Sequence, residues 1–196
     1  WDNGCDNIGF ASINSGARTV MATKASRNDN NGGWLRRCSL SSSAIGLTVD
    51  EDQFFDGERS HGDEDVDLIV FSQPFVFDSN FVPPTIDPSF KMEVGRAELP
   101  PAPFTAIAFQ QAYAEPPAVF VLGDSTNTDP TAVRIRNVST SGFEAVPVEP
   151  PGPDSVDINT TFDYLVIEKG LHQFPGGERI VVGEALVSQI QHGNGV

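Results

Sequence analysis

The chain has 196 residues, 39% of them hydrophobic, and a formal net charge of -15 at pH 7. That length supplies one large domain or two small ones, with enough apolar matter for a core. The charge argues against a phosphate backbone or an anionic membrane as partner, and no run approaches the ~18 apolar residues of a membrane span.

The start, Trp1-Asp2-Asn3-Gly4-Cys5, carries no basic or apolar leader and reads as a processed end or an excised fragment. The two cysteines, Cys5 and Cys38, fit no zinc spacing. In a chain rich in Asn, Ser, Gly and Pro they are expected to pair as a disulfide, which implies a secreted or cell-surface location. Ala44-Ile45-Gly46-Leu47-Thr48-Val49 alternates with the period of a half-buried strand. Ala118–Leu122 and Phe162–Ile167 are strands by composition. Turn signals punctuate them at Asn30-Asn31-Gly32-Gly33, Asp129-Pro130, Ser141-Gly142 and Pro175-Gly176-Gly177. Helical periodicity is nearly absent. The expected class is all-β, a sandwich or barrel of short antiparallel strands.

The chain also matches itself. Phe10 and Val20 lie over Phe109 and Val119, Leu35–Cys38 over Arg134–Asn137, and Ala44-Ile45 over Gly142-Phe143. Val66–Phe71 lies over Phe162–Ile167, and the offset shortens slightly along the chain, as loop deletions produce. The expected organisation is two tandem antiparallel β-sandwiches. The first spans 1–80, a linker 81–91, the second 92–174, and a tail 175–196 follows. Met92–Leu99 resembles Val181–Leu186, aligned on Gly95 and Gly183. The first of these opens the second copy, whereas the first copy has no such segment ahead of it. The tail segment, with Val181, Val182, Gly183, Ala185 and Leu186, is therefore a candidate donated strand that completes the first copy of a neighbouring molecule.

Three segments of the second copy carry a family resemblance. They are Phe109–Phe120 with its Pro116-Pro117, Val133–Glu144 with Gly142-Phe143-Glu144, and Phe162–Glu168. Over about 92–168 the chain resembles the H-type lectin domain. The resemblance implies a six-stranded antiparallel β-sandwich, trimeric assembly and recognition of N-acetylgalactosamine. The sugar-binding members use a Trp-His pair before the last strand, but the matching loop here, Glu149–Ser155, has neither residue. Only Arg134 and Arg136 match a family polar position. The first copy resembles a related repeat of large bacterial surface proteins, through Gly32–Cys38, Val49–Asp52 and Glu58–His61.

Catalytic signals are weak. His61, His172 and His192 lie near no nucleophile motif, and carboxylates are too plentiful to single out a pair, so no enzyme is expected. The densest polar cluster is Trp34, Arg37, Asp50, Asp52, Glu58, Arg59 and His61, to which Arg134 and Arg136 are added from the second copy. Two readings of it stand: a salt-bridge network flanking the disulfide, and a glycan or partner site built on Trp34. Strand alternation puts Arg36, not Arg37, on the Trp34 side. Calcium is a candidate ligand of Asn28–Asn31, Asp50–Asp52 and Asp63–Asp65, none of which forms a calcium-loop motif; no other cofactor or metal is expected. The functional expectation is a self-associating extracellular module for structure or adhesion, assembling into a filament by strand donation. The alternatives are a glycan-binding lectin and an accessory domain of a polysaccharide-active enzyme.

Overall fold

The fold is taken from a computed structural model, which describes residues 4–11, 19–26, 28, 33–51, 61–78, 90–125, 130–149, 158–173 and 177–185. These residues are all-β and form several antiparallel sheets. No helix is long and apolar enough to cross a membrane among them.

The first strands are β1 (Asp6–Gly9), β2 (Thr19–Lys24), β3 (Gly33–Leu40), β4 (Ala44–Glu51) and β5 (Val66–Phe71). They make one sheet of order β1-β4-β3 and a β2-β5 pair. Next come β6 (Phe75–Asp78), β7 (Lys91–Leu99), β8 (Thr105–Ala108), β9 (Ala118–Gly123), β10 (Ala132–Arg136), β11 (Gly142–Val148) and β12 (Thr160–Ile167). They form the sheets β10-β11-β8 and β6-β7-β12-β9. A last pair joins β13 (Gly170–Gln173) to β14 (Arg179–Val182). The central strands β4 and β12 are buried along nearly their whole length, as strands paired on both edges and covered on their faces must be.

Strand order and register recur between the halves. Ile8 faces Ile45 as Ile107 faces Phe143, and Val20 faces Val70 as Val119 faces Val166. The connections recur too. Phe10 N–H donates to Ser43 O and Phe109 N–H to Ser141 O, both at 2.9 Å. Ser41 and Ser139 each close the following turn, donating from N–H and hydroxyl to the carbonyls of Ala44 and Gly142 respectively. Serine suits both places because its hydroxyl competes well for local backbone groups. Ala25 N–H to Asp65 O, at 2.7 Å, has its counterpart in Asp124 N–H to Thr161 O, at 2.9 Å. A bulge between Arg37 and Ser39 interrupts the β3–β4 register; the β10–β11 ladder runs without a shift.

Two apolar clusters hold the strands. One fills the space between β6-β7-β12-β9 and β10-β11-β8, around Leu99, Phe143, Phe162, Tyr164 and Val166. The other begins between β1-β4-β3 and β2-β5, with Val20, Ile45 and Leu47, and continues to Val94, Leu122, Leu165 and Ile167. It therefore crosses from the first half to the second. Of the sequence-paired core residues, Val20, Ile45 and Phe143 are buried, and Phe10, Phe109 and Val119 pack partly buried against these clusters. β6 (Phe75–Asp78), which lies in the 1–80 span, pairs antiparallel with β7.

Candidate functional site

Cys5 and Cys38 are joined by a disulfide that ties the segment leading into β1 to β3. Gly46 on β4 lies beneath it, where a Cβ would meet both sulfurs and the Ser39 hydroxyl oxygen. Glycine is required there by close approach, not by backbone conformation.

The polar cluster expected around Trp34 is divided among four places. Trp34 is half-buried on β3 opposite Asp50, and Asp50 is ion-paired with Arg36 rather than Arg37. His61 is buried elsewhere. Its Nδ1 lies 2.7 Å from Glu51 Oε1 and its Nε2 3.0 Å from Glu64 Oε1. Glu64 also accepts from Ser26 Oγ and Asn28 N–H, and pairs with Lys24 Nζ at 3.3 Å. Burial alone would raise the Glu64 pKa, but the donors from Ser26, Asn28, His61 and Lys24 outweigh it and hold the carboxyl well below its usual range. Arg134 and Arg136 are exposed on β10. Arg136 pairs with Glu144 at 2.6 Å and lies over the Phe104 ring, 3.6 Å from its centroid. That pairing lowers the Glu144 pKa. Asp52, Glu58 and Arg59 lie outside the described residues. Among those described, no group of three His, Cys, Asp or Glu is placed to hold a metal ion.

Arg37 takes part in a contact between the halves. Its guanidinium lies 3.4 Å from Asp124 Oδ2 and 3.4 Å from Asp163 Oδ2. Asp163, fully buried on β12, also receives Arg96 Nε at 2.6 Å and the Val20 N–H of β2 at 3.0 Å. The Arg37 carbonyl accepts from Ser125 N–H at 2.9 Å. Asp163 thus gathers hydrogen bonds from β2 and β7 and an ion pair from β3. Sequence reasoning passed over it, although a lone charge between Phe162 and Tyr164 in an apolar strand was a usable signal. Glu93 on β7 repeats the pattern. It is fully buried and accepts from the N–H groups of Gln110 and Gln111. Its pKa is raised because burial outweighs these bonds.

The candidate donor segment is only partly covered. Val182 is buried in the crossing cluster, whereas Val181 is 76% exposed. Gly183 and Ala185 are exposed, and Leu186 lies outside the described residues. β13 and β14 repeat the pairing of β6 with β7. Gly170 faces Val182 as Phe75 faces Val94, and His172 faces Ile180 as Phe77 faces Met92.

Compared with protein-family models, curated proteins and solved structures, the chain matches none of them.

Proposed function

We propose that this chain is a non-enzymatic extracellular module for structure or adhesion, built of two tandem H-type-lectin-like β-sandwiches, and that it associates with copies of itself. The tandem reading draws support from the recurrent strand orders, registers and turn bonds. The disulfide supports an oxidising compartment.

One observation carries the self-association. In the middle of the chain, the β6–β7 pairing is where one sandwich hands over to the next. β13–β14 repeats that pairing in the same register, so the chain presents the opening of another unit. Val181, which occupies the place of the fully buried Glu93, is 76% exposed. A strand of this kind is covered by another unit or presents apolar surface and open backbone to water.

Sedimentation velocity across a concentration series, with negative-stain micrographs of the same samples, tests the proposal. Concentration-dependent growth is expected. A chain that stays monomeric at its highest soluble concentration overturns it. The lectin alternative has less support, since the arginines and acids near Trp34 are occupied by buried ion pairs.

A further inference from the structure

We infer that the outer edge of β5 is an acceptor site for β14 of a second copy of this chain, in the register that sets Leu68 opposite Gly183. The inference rests on the self-association proposed above and specifies its site.

The argument is one of equivalent places. β12 is paired on both edges, by β9 and by β7. β5 holds the corresponding place in the first half, with Val70 matching Val166. β2 occupies the edge that matches β9, and among the described residues no strand pairs with the other edge. That second edge is the place that β7 fills on β12. β14 matches β7 through its register with β13, and among the described residues β13 is its one strand partner. Each strand therefore has an edge whose counterpart in the second half is satisfied by the counterpart of the other.

Carrying the β12–β7 register across gives specific pairs. Tyr164 opposite Gly95 becomes Leu68 opposite Gly183, Val166 opposite Glu93 becomes Val70 opposite Val181, and Leu165 opposite Val94 becomes Ile69 opposite Val182. Side chains suit these positions. The Tyr164 ring fills the space above Gly95, whereas nothing lies within 4 Å of the same position on Gly183. Leu68 would lie over that glycine as Tyr164 lies over Gly95. Val181, 76% exposed, and Ile69, 55% exposed, are both covered by the pairing. Ile180 and Val182 pack β14 into its own molecule's core, and Lys169 Nζ reaches Glu184 at 3.0 Å. β14 thus stays with its own second half and meets the β5 edge of another molecule. A donor edge on β14 meeting an acceptor edge on β5 makes the contact heterologous, and repetition gives an open filament unless its rotation closes a ring.

One pair is mismatched. Asp163 faces Arg96 across β12 and β7, but the transferred register sets Asp67 opposite Glu184. Two acids directly opposite on neighbouring strands repel. The mismatch makes the inference testable by gain of function, because both residues are exposed and neither belongs to a core.

The experiment mixes an Asp67→Cys protein with a Glu184→Cys protein under mild oxidation and follows cross-linked dimer by non-reducing electrophoresis. Arg179→Cys in place of Glu184→Cys is the off-register control. In parallel, Asp67→Lys, which leaves the Lys169–Glu184 pair intact, is examined by sedimentation velocity. Expected are a cross-link in the 67–184 mixture that the control lacks, and assembly by Asp67→Lys at about fivefold lower concentration, as exchanging a like-charged for an opposite-charged cross-strand pair implies. Circular dichroism matching the parent shows that the variants are folded. Assembly of the parent without the 67–184 cross-link, or with no response to Asp67→Lys, overturns this site but leaves self-association standing. A parent that does not assemble overturns both.

Discussion

Asp163→Asn is the sharpest test of how the halves are held together. The substitution keeps the shape of the side chain and replaces one carboxylate oxygen by an NH2 group, which cannot accept. Asp163 is fully buried, accepts from Arg96 Nε and Val20 N–H, and is ion-paired with Arg37 Nε at 3.4 Å. The Arg96 side chain is 34% exposed, so water can replace part of what it loses. Arg37 is 10% exposed, and the Val20 amide is buried. The Asn oxygen can turn to keep the Val20 bond at the Oδ2 position, so the loss falls on the charge that faces the buried Arg37 and on Arg96, which then meets the NH2 group. Removing one partner of a buried ion pair costs roughly 3–5 kcal/mol. In urea, with a slope of ~2–3 kcal/mol per molar, the midpoint should fall by ~1–2 M. Arg96→Ala should cost much less than Asp163→Asn, and Arg37→Gln should couple to Asp163→Asn in a double-mutant cycle. A midpoint loss equivalent to under ~1 kcal/mol, or equal costs at Arg96 and Asp163, would refute this account of the network.

Gly46→Ala should destabilise by ~1–3 kcal/mol, since its Cβ meets both disulfide sulfurs, and the penalty should shrink when Cys5 and Cys38 are both Ser; a thermal-melt comparison of the four proteins checks it. Breaking the Cys5–Cys38 bond, which spans 33 residues of sequence, should cost ~3–4 kcal/mol in the chain-entropy model, read as a shift in urea midpoint with and without reductant. Glu64 has a folded-state pKa below its unfolded value, so its contribution is present above about 4.5 and is lost as pH falls below that. Glu64→Gln should accordingly lower stability at neutral pH and flatten its decline between neutral and acid pH, measured by urea titrations at a series of pH values.

The strands were legible because their signals are local. The alternation of Ile45, Leu47 and Val49 and the Ser141-Gly142 turn need no tertiary context. The disulfide partners were legible because only two cysteines exist. The division of the polar cluster was not. Arg36 and Arg37 are adjacent in sequence and point to opposite faces. Which acid each meets depends on β4 in one case and on strands more than eighty residues away in the other. The His61 network was hidden for the same reason, since Lys24, Ser26, Glu51 and Glu64 converge only after β2, β4 and β5 are in place. The extent of the cluster that crosses from one half to the other also lay beyond sequence reading, because periodicity assigns a residue to a face but not to a neighbour.

That crossing cluster has a consequence for how the molecule comes apart. Two beads joined by a string melt separately, each at its own temperature. Here Val20, Ile45 and Leu47 belong to the same apolar cluster as Val94, Leu165 and Ile167, and the Val20 amide is bonded to Asp163. Unfolding the first half strips cover from the back of the second, and unfolding the second removes the acceptor that holds β2. Loss of either raises the free energy of what remains, so heat should meet a single cooperative unit. Joined end to end, such units would transmit strain from one junction to the next instead of absorbing it between rigid beads.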